Sequence, residues 1–229
     1  MTATIAEDLA APWGGALLQF IADPLINAAP EALPVLPIVG STAKALTFPA
    51  LRGRLGRALC DGSPEAIRSL QKLTQHPNTR LALFPAQQAL ALMAFATAWS
   101  LASAIGKLIR QADVRRARDS LGDEAFSFAV NRAQMMPPIN AALATAIGLN
   151  DPSLEMDRIA ELRPGAALFG LALGPLPKAA MQRLSLRQPV STWSVVCTHA
   201  REDESGSAAV IAIRRILRDR GMPCSTWLN

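Results

Sequence analysis

Apolar residues recur along this chain at three- and four-residue spacing, in blocks separated by proline and glycine. That pattern belongs to amphipathic helices rather than strands. The first block, 15–21, predicts a short helix closed by Asp23-Pro24. Prolines 30, 34, 37 and 49 then punctuate the chain. Proline lacks the amide donor and biases the preceding residue toward extended geometry. Residues 1–50 therefore read as a less regular, proline-rich segment packed on, or linking to, a single helical domain over 1–229. Leu33, Val35, Leu36, Ile38 and Val39 give that segment apolar surface to lay on the domain. A helix follows over 50–59, with Arg52, Arg54 and Arg57 outward. Another runs over 63–74, where Ser63-Pro64-Glu65 supplies a cap, a first-turn proline and an acid at the positive end of the dipole. His76-Pro77-Asn78 is the next break.

From Leu81 to Gly106 no residue is charged. A helix apolar on every side is either the centre of a bundle or a membrane span. Residues 89–106 approach spanning length, but alanine dominates them, and Thr97, Ser100 and Ser103 add polarity behind Pro85, Gln87 and Gln88. The buried-helix reading is preferred, with a single span at about 89–106 as the alternative. Beyond Lys107 the pattern turns amphipathic. Ile105, Leu108, Ile109 and Ala112 share one face; Arg110, Arg115, Arg116 and Arg118 take others. Leu121-Gly122 ends that helix, and Asp123 caps one carrying Phe126, Phe128 and Val130 to about 134. Further helices are predicted over 139–148, 150–162 (broken by Pro164-Gly165), 166–173 (ended by Gly174-Pro175), 178–186 and 207–220. In the last, Val210, Ile213, Ile216 and Leu217 face inward, and Arg214, Arg215, Arg218 and Arg220 face outward. Residues 191–198 form the one candidate strand. The fold expected is all-α: an irregular multi-helix bundle around a central apolar helix.

Composition agrees. Half of the 229 residues are apolar, tyrosine is absent, and the net charge is +5. The mild arginine surplus suits an acidic partner protein, nucleic acid or an anionic membrane surface. Nucleic acid is disfavoured, because Asp113, Asp119, Asp123 and Glu124 interleave the arginines and no stacking aromatic lies among them. Cys60, Cys197 and Cys224 are too few and too scattered for a disulfide framework, which fits a reducing compartment. Glu7 and Asp8 stand where a signal peptide would carry basic charge, so export by that route is not expected.

Motifs that carry chemistry are missing. There is no H-E-x-x-H, no C-x-x-C and no G-x-S-x-G. Gly40 through Lys44 holds phosphate-loop letters in the wrong order. Cys197 and His199, with Cys224 as a third group, could supply metal ligands or a nucleophile and base only if the fold converged them. Glu155, Asp157 and Glu161 read as a solvated helix face. No catalytic, cofactor or metal residue is assigned, and an enzyme is not expected, although a helical enzyme of unknown class, with a site near Cys197 and His199, remains an alternative.

Three segments resemble the SctK family (OrgA, MxiK, PscK) of type III secretion proteins. Residues 17–34 (LLQFIADPLINAAPEALP) are similar to the family's L-x-F-N-x-x-P opening and the proline-bearing stretch behind it. Residues 80–130 repeat its order of leucine-rich helix, basic connector and L-G-x-x-x-F-x-F-A element. Residues 214–228 give a basic helix running into a tryptophan-containing apolar end. The resemblance implies a helical, non-enzymatic adaptor of the injectisome sorting platform. It would sit in the cytoplasm beneath the inner membrane, bridging the ring protein SctD to the pod protein SctQ, and through it the stator SctL and the ATPase SctN. Arg110, Arg115, Arg116 and Arg118 are the candidate partner contacts.

Overall fold

The computed structural model describes residues 10–26, 28–29, 32–33, 46–149 and 159–228. Every regular element among them is helical. Prolines 30, 34 and 37, the apolar residues 35–39, Gly40 through Lys44, Glu7 and Asp8, and most of the helix expected over 150–162, including Glu155 and Asp157, lie outside the described residues.

Local signals account for most helix boundaries. The first helix, α1 (Gly14–Ala22), ends before Asp23-Pro24. It is followed by α2 (Pro49–Leu59) and α3 (Pro64–Gln71). Ser63 caps α3, its hydroxyl accepting the Ala66 amide, with Pro64 in the first turn. Two 3-10 stretches, Lys72–Thr74 and Pro77–Leu83, lead into α4 (Ala86–Ser100). Then come α5 (Ala102–Ile105), α6 (Gln111–Leu121) and α7 (Asp123–Asn131). Gly122, at φ 81, turns the chain between α6 and α7 in a conformation only glycine adopts cheaply. The Asp123 side chain makes no capping bond there, because Gly122 occupies the cap position. In α8 (Ala141–Ala146), Asn140 caps by accepting the Leu143 amide. The chain closes with α9 (Arg163–Leu173), α10 (Lys178–Ser185), α11 (Val190–His199), α12 (Gly206–Arg220) and a 3-10 turn over Pro223–Leu228.

The centre of the molecule is a crossing of two helices. α4 is buried from Leu92 to Trp99. α9 is buried at every position from Pro164 to Leu173 and packs against α4, α11 and α12. Glycines permit the crossing. A Cβ on Gly165 would stand 1.9 Å from the Met93 carbonyl oxygen, and one on Gly170 would stand 2.6 Å from the Val196 carbonyl oxygen. The Gly165 amide donates to the Thr97 hydroxyl at 3.0 Å, which satisfies one of the free donors of the first turn inside an apolar contact. Around this crossing a contiguous core reaches from Leu17 and Phe20 to Leu228. Each fully buried leucine or phenylalanine in it contributes roughly 2 kcal/mol. A smaller cluster of Leu25, Leu33, Cys60 and Leu186 sits under α2.

Several expectations are corrected. Residues 191–198 are not a strand but the body of α11. The β-branched penalty in a helix is only a few tenths of a kcal/mol per residue, and the close approach of Val196 to Gly170 outweighs it. Pro164-Gly165 does not break a helix. It starts α9, the reversal falling at Leu162 with φ 50. The uncharged segment is not one helix either, for α4 stops at Ser100 and the chain kinks at Leu101 before α5. Among the described residues no single helix is long and apolar enough to cross a membrane, although Pro77–Leu83 and α4 pass as a pair bent by 119°.

Some side chains also face other ways than their spacing suggested. Arg52 pairs with Asp23 at 2.7 Å instead of pointing outward. Arg214 donates to the Leu228 carbonyl. Arg220 lies over Phe95 at 4.8 Å, against the edge-to-face pair of Phe95 and Phe128. Val130 is exposed, and Ile109 and Ala112 leave the apolar face on which they were expected.

Candidate interaction surface

The four arginines singled out by sequence are all exposed. α6 places its inward stripe at Val114, Ala117 and Leu121, so Arg115 and Arg116 project away from the core, with Arg118 nearer the edge of the stripe. Arg110 stands at the N-cap of the same helix. Arg118 is the most engaged of the four. It lies 3.5 Å from Asp123 and 5.2 Å above the Phe126 ring. Arg110, Arg115 and Arg116 make no ion pair or hydrogen bond among the described residues, so their charge is available to a partner.

Sequence reasoning missed the apolar half of this surface. Ile109 is 95% exposed in the turn before α6, because the chain leaves helical geometry at 107–110 and the helical spacing that would have placed it inward no longer applies. Met135 is 86% exposed in the 3-10 turn Ala133–Met135. Its neighbours Gln134 and Met136 line an open cleft of about 640 Å³ together with Trp99, Ser103, Gly106 and Lys107. Gly106 admits the Gln134 amide there, for a Cβ would stand 2.3 Å from its Nε2. Basic charge, two bare apolar side chains and a concave face thus occur on the α5–α6 and 133–139 stretches. Desolvated apolar anchors rimmed by charge are what a protein interface uses.

The sulfur and imidazole groups do not converge. Cys197 and His199 are two residues apart on α11, on different sides of the helix. The His199 Nδ1 is held 2.8 Å from the Val195 carbonyl oxygen of its own helix. Cys224 donates to the Gln88 Oε1 at 2.9 Å, and burial pushes its thiol up to about 11. Burial likewise raises Cys60 and Cys197. A higher pKa means less thiolate, which makes all three poor nucleophiles at neutral pH. Among the described residues no group of three histidine, cysteine or acidic side chains is placed to hold a metal ion.

Two buried arginines were also missed. Arg183 donates its Nε–H to the Phe20 carbonyl at 3.0 Å. Arg187 lies over the Phe20 ring at 4.6 Å. The signal was present for Arg183: on α10 it falls on the stripe of Ala179, Ala180 and Leu184, all buried. Arg187 follows the helix, where periodicity says nothing.

Comparison of the chain with protein-family models, characterised proteins and solved structures gives no match.

Proposed function

We propose that this chain is an SctK-type adaptor of a bacterial type III secretion system, working in the cytoplasm at the inner membrane and joining the ring protein SctD to the pod protein SctQ. The observation that carries the reading is the exposed Ile109 adjoining Arg110 in the turn before α6, with Arg115 and Arg116 exposed on that helix, all within the segment 80–130 whose order resembles that family. An adaptor needs docking faces, not reacting groups. Unpaired surface arginines speed encounter with an acidic partner and fix its register, while the apolar side chains supply the area removed from water. Membrane association then comes through the partners. SctL and SctN are reached indirectly, through SctQ.

The test is co-purification with the cytoplasmic domain of SctD and with SctQ encoded beside this chain. Retention of at least one is expected. Arg115→Glu with Arg116→Glu should cut that retention at least tenfold while leaving the unfolding temperature unchanged, since both side chains are exposed and neither makes a hydrogen bond or ion pair with the described residues. Failure of both partners to bind, at any salt concentration, overturns the adaptor reading.

A further inference from the structure

A second site, independent of the adaptor reading, lies on another part of the molecule. Arg187 is only 3% exposed. Its Nε is buried without a hydrogen-bond partner, and no hydrogen bond or ion pair with the described residues reaches its guanidinium. A buried charge left in this state is costly unless something neutralises it. Phe20 covers it at 4.6 Å, which offsets part of the cost through the ring's negative face.

The surroundings carry too much positive charge. Arg183, equally buried, stands close enough to repel it, and its own guanidinium is spent on the carbonyls of Phe20, Asp61 and Ala179. Asp23 attracts Arg187 without reaching it: its Oδ2 accepts from Arg52 at 2.8 Å and its Oδ1 is buried without a hydrogen-bond partner. The Asp61 carboxylate is exposed and accepts the Ser63 amide. Among the described residues, Arg52, Arg183 and Arg187 thus stand near only Asp23 and Asp61, and Lys178 also acts on Asp61. Desolvation, and then Arg183, lower the Arg187 guanidinium to about 10, which still leaves it charged at neutral pH.

Arg187 also lines a cleft of about 410 Å³, a volume in the range of small-molecule sites. Among the described residues, its other lining side chains include the apolar Ile26, Ala29, Pro85, Ala86, Leu90 and Pro189 and the Gln87 amide. One fixed cation in an apolar cleft selects a ligand with one anionic end and an apolar body. A planar guanidinium matches a carboxylate in two-point geometry. We propose that this cleft binds a small carboxylic acid with an apolar body, its carboxylate anchored by Arg187. Charge without body gains nothing from the wall, and body without charge leaves the arginine unpaired.

The experiment is calorimetric titration of the full chain with octanoate, with acetate, inorganic phosphate and 1-octanol as comparisons. Octanoate should bind saturably, one per chain, and at least tenfold more tightly than any of the three. Arg187→Met should abolish the binding. Ala86→Trp, which keeps the arginine and fills the cleft, should abolish it as well, and decides the matter if the first variant does not fold. In the native chain the Nε–H resonance of Arg187 should move on titration with octanoate and stay fixed with octanol. Absence of saturable octanoate binding, octanol binding as tightly, or full binding in either folded variant overturns the proposal.

Discussion

Replacing Gly165 by alanine tests the central crossing most directly. In most helices this substitution adds about 0.5–1 kcal/mol of stability by lowering the entropy of the unfolded chain and improving helix propensity. Here the new methyl would stand 1.9 Å from the Met93 carbonyl oxygen, 2.7 Å from its carbonyl carbon and 2.7 Å from the Thr97 hydroxyl. Two of those atoms are backbone in the middle of a buried helix and cannot swing aside. Restoring ordinary contact requires α4 and α9 to part by about 1.5 Å, in a core packed to crystal-like density. Overpacking of that kind costs about 1–3 kcal/mol. The bond from the Gly165 amide to Thr97 is strained or lost as well, at about 1 kcal/mol. Net of the propensity gain, Gly165→Ala should destabilise the chain by about 2–3 kcal/mol, or about 5–10 °C for a chain of this size. Gly15→Ala is the matched control. It sits in α1 with nothing within 4 Å of the added Cβ, so it should raise stability by about 0.5–1 kcal/mol. Thermal unfolding followed by helical circular dichroism, with urea midpoints as a check, reads both. Equal or reversed effects of the two alanines would refute the close-crossing argument.

Arg187→Met should raise the urea midpoint by the equivalent of about 1 kcal/mol, since it removes a buried charge without a bonded partner; a loss of that size would show that the charge is compensated after all. Arg80→Leu should cost about 2–3 kcal/mol in the same assay, because Arg80 stacks over Trp13 at 3.8 Å and donates to the carbonyls of Thr74 and Trp227, tying both ends of the described chain to its middle. A loss under about 0.5 kcal/mol would mean the chain ends hold without it. Cys224 gives a pH signature. Its pKa is raised on folding from 9.0 to about 11, so the folded state holds the proton more tightly, and that share of stability is present below pH 9 and lost as pH rises to about 11. Urea midpoints between pH 8 and 11 should therefore fall more steeply for the native chain than for Cys224→Ala, a comparison that cancels the opposing relief at Arg187 near and above pH 10.

Much of the helical scaffold was legible because it is encoded locally. Ser63 as a cap, and Gly122 and Gly174 as turns, act within four residues of themselves. Val210, Ile213, Ile216 and Leu217 form the inner stripe of α12, as their spacing requires. The exposure of Arg110, Arg115, Arg116 and Arg118 could be read the same way, whereas the exposed Ile109 beside them could not. Its position depends on the chain leaving helical geometry at 107–110, and a period has meaning only while the helix continues.

Sequence alone therefore determined the class of the fold, most helix ends and the apolar face of α12. It could not determine what covers each face. The fully apolar segments α4 and α9 have no preferred side, so only tertiary packing set how α9 lies, with Gly165 as its point of contact on α4 and Gly170 as its point of contact on α11. The same packing turned a β-branched stretch into α11, drew Arg214 and Arg220 inward, and buried Arg187 against Phe20. The physical reason is common to all of these. Propensity and periodicity are worth tenths of a kcal/mol per residue, while burial against a specific neighbour is worth several times that. Where the two disagree, the neighbour decides.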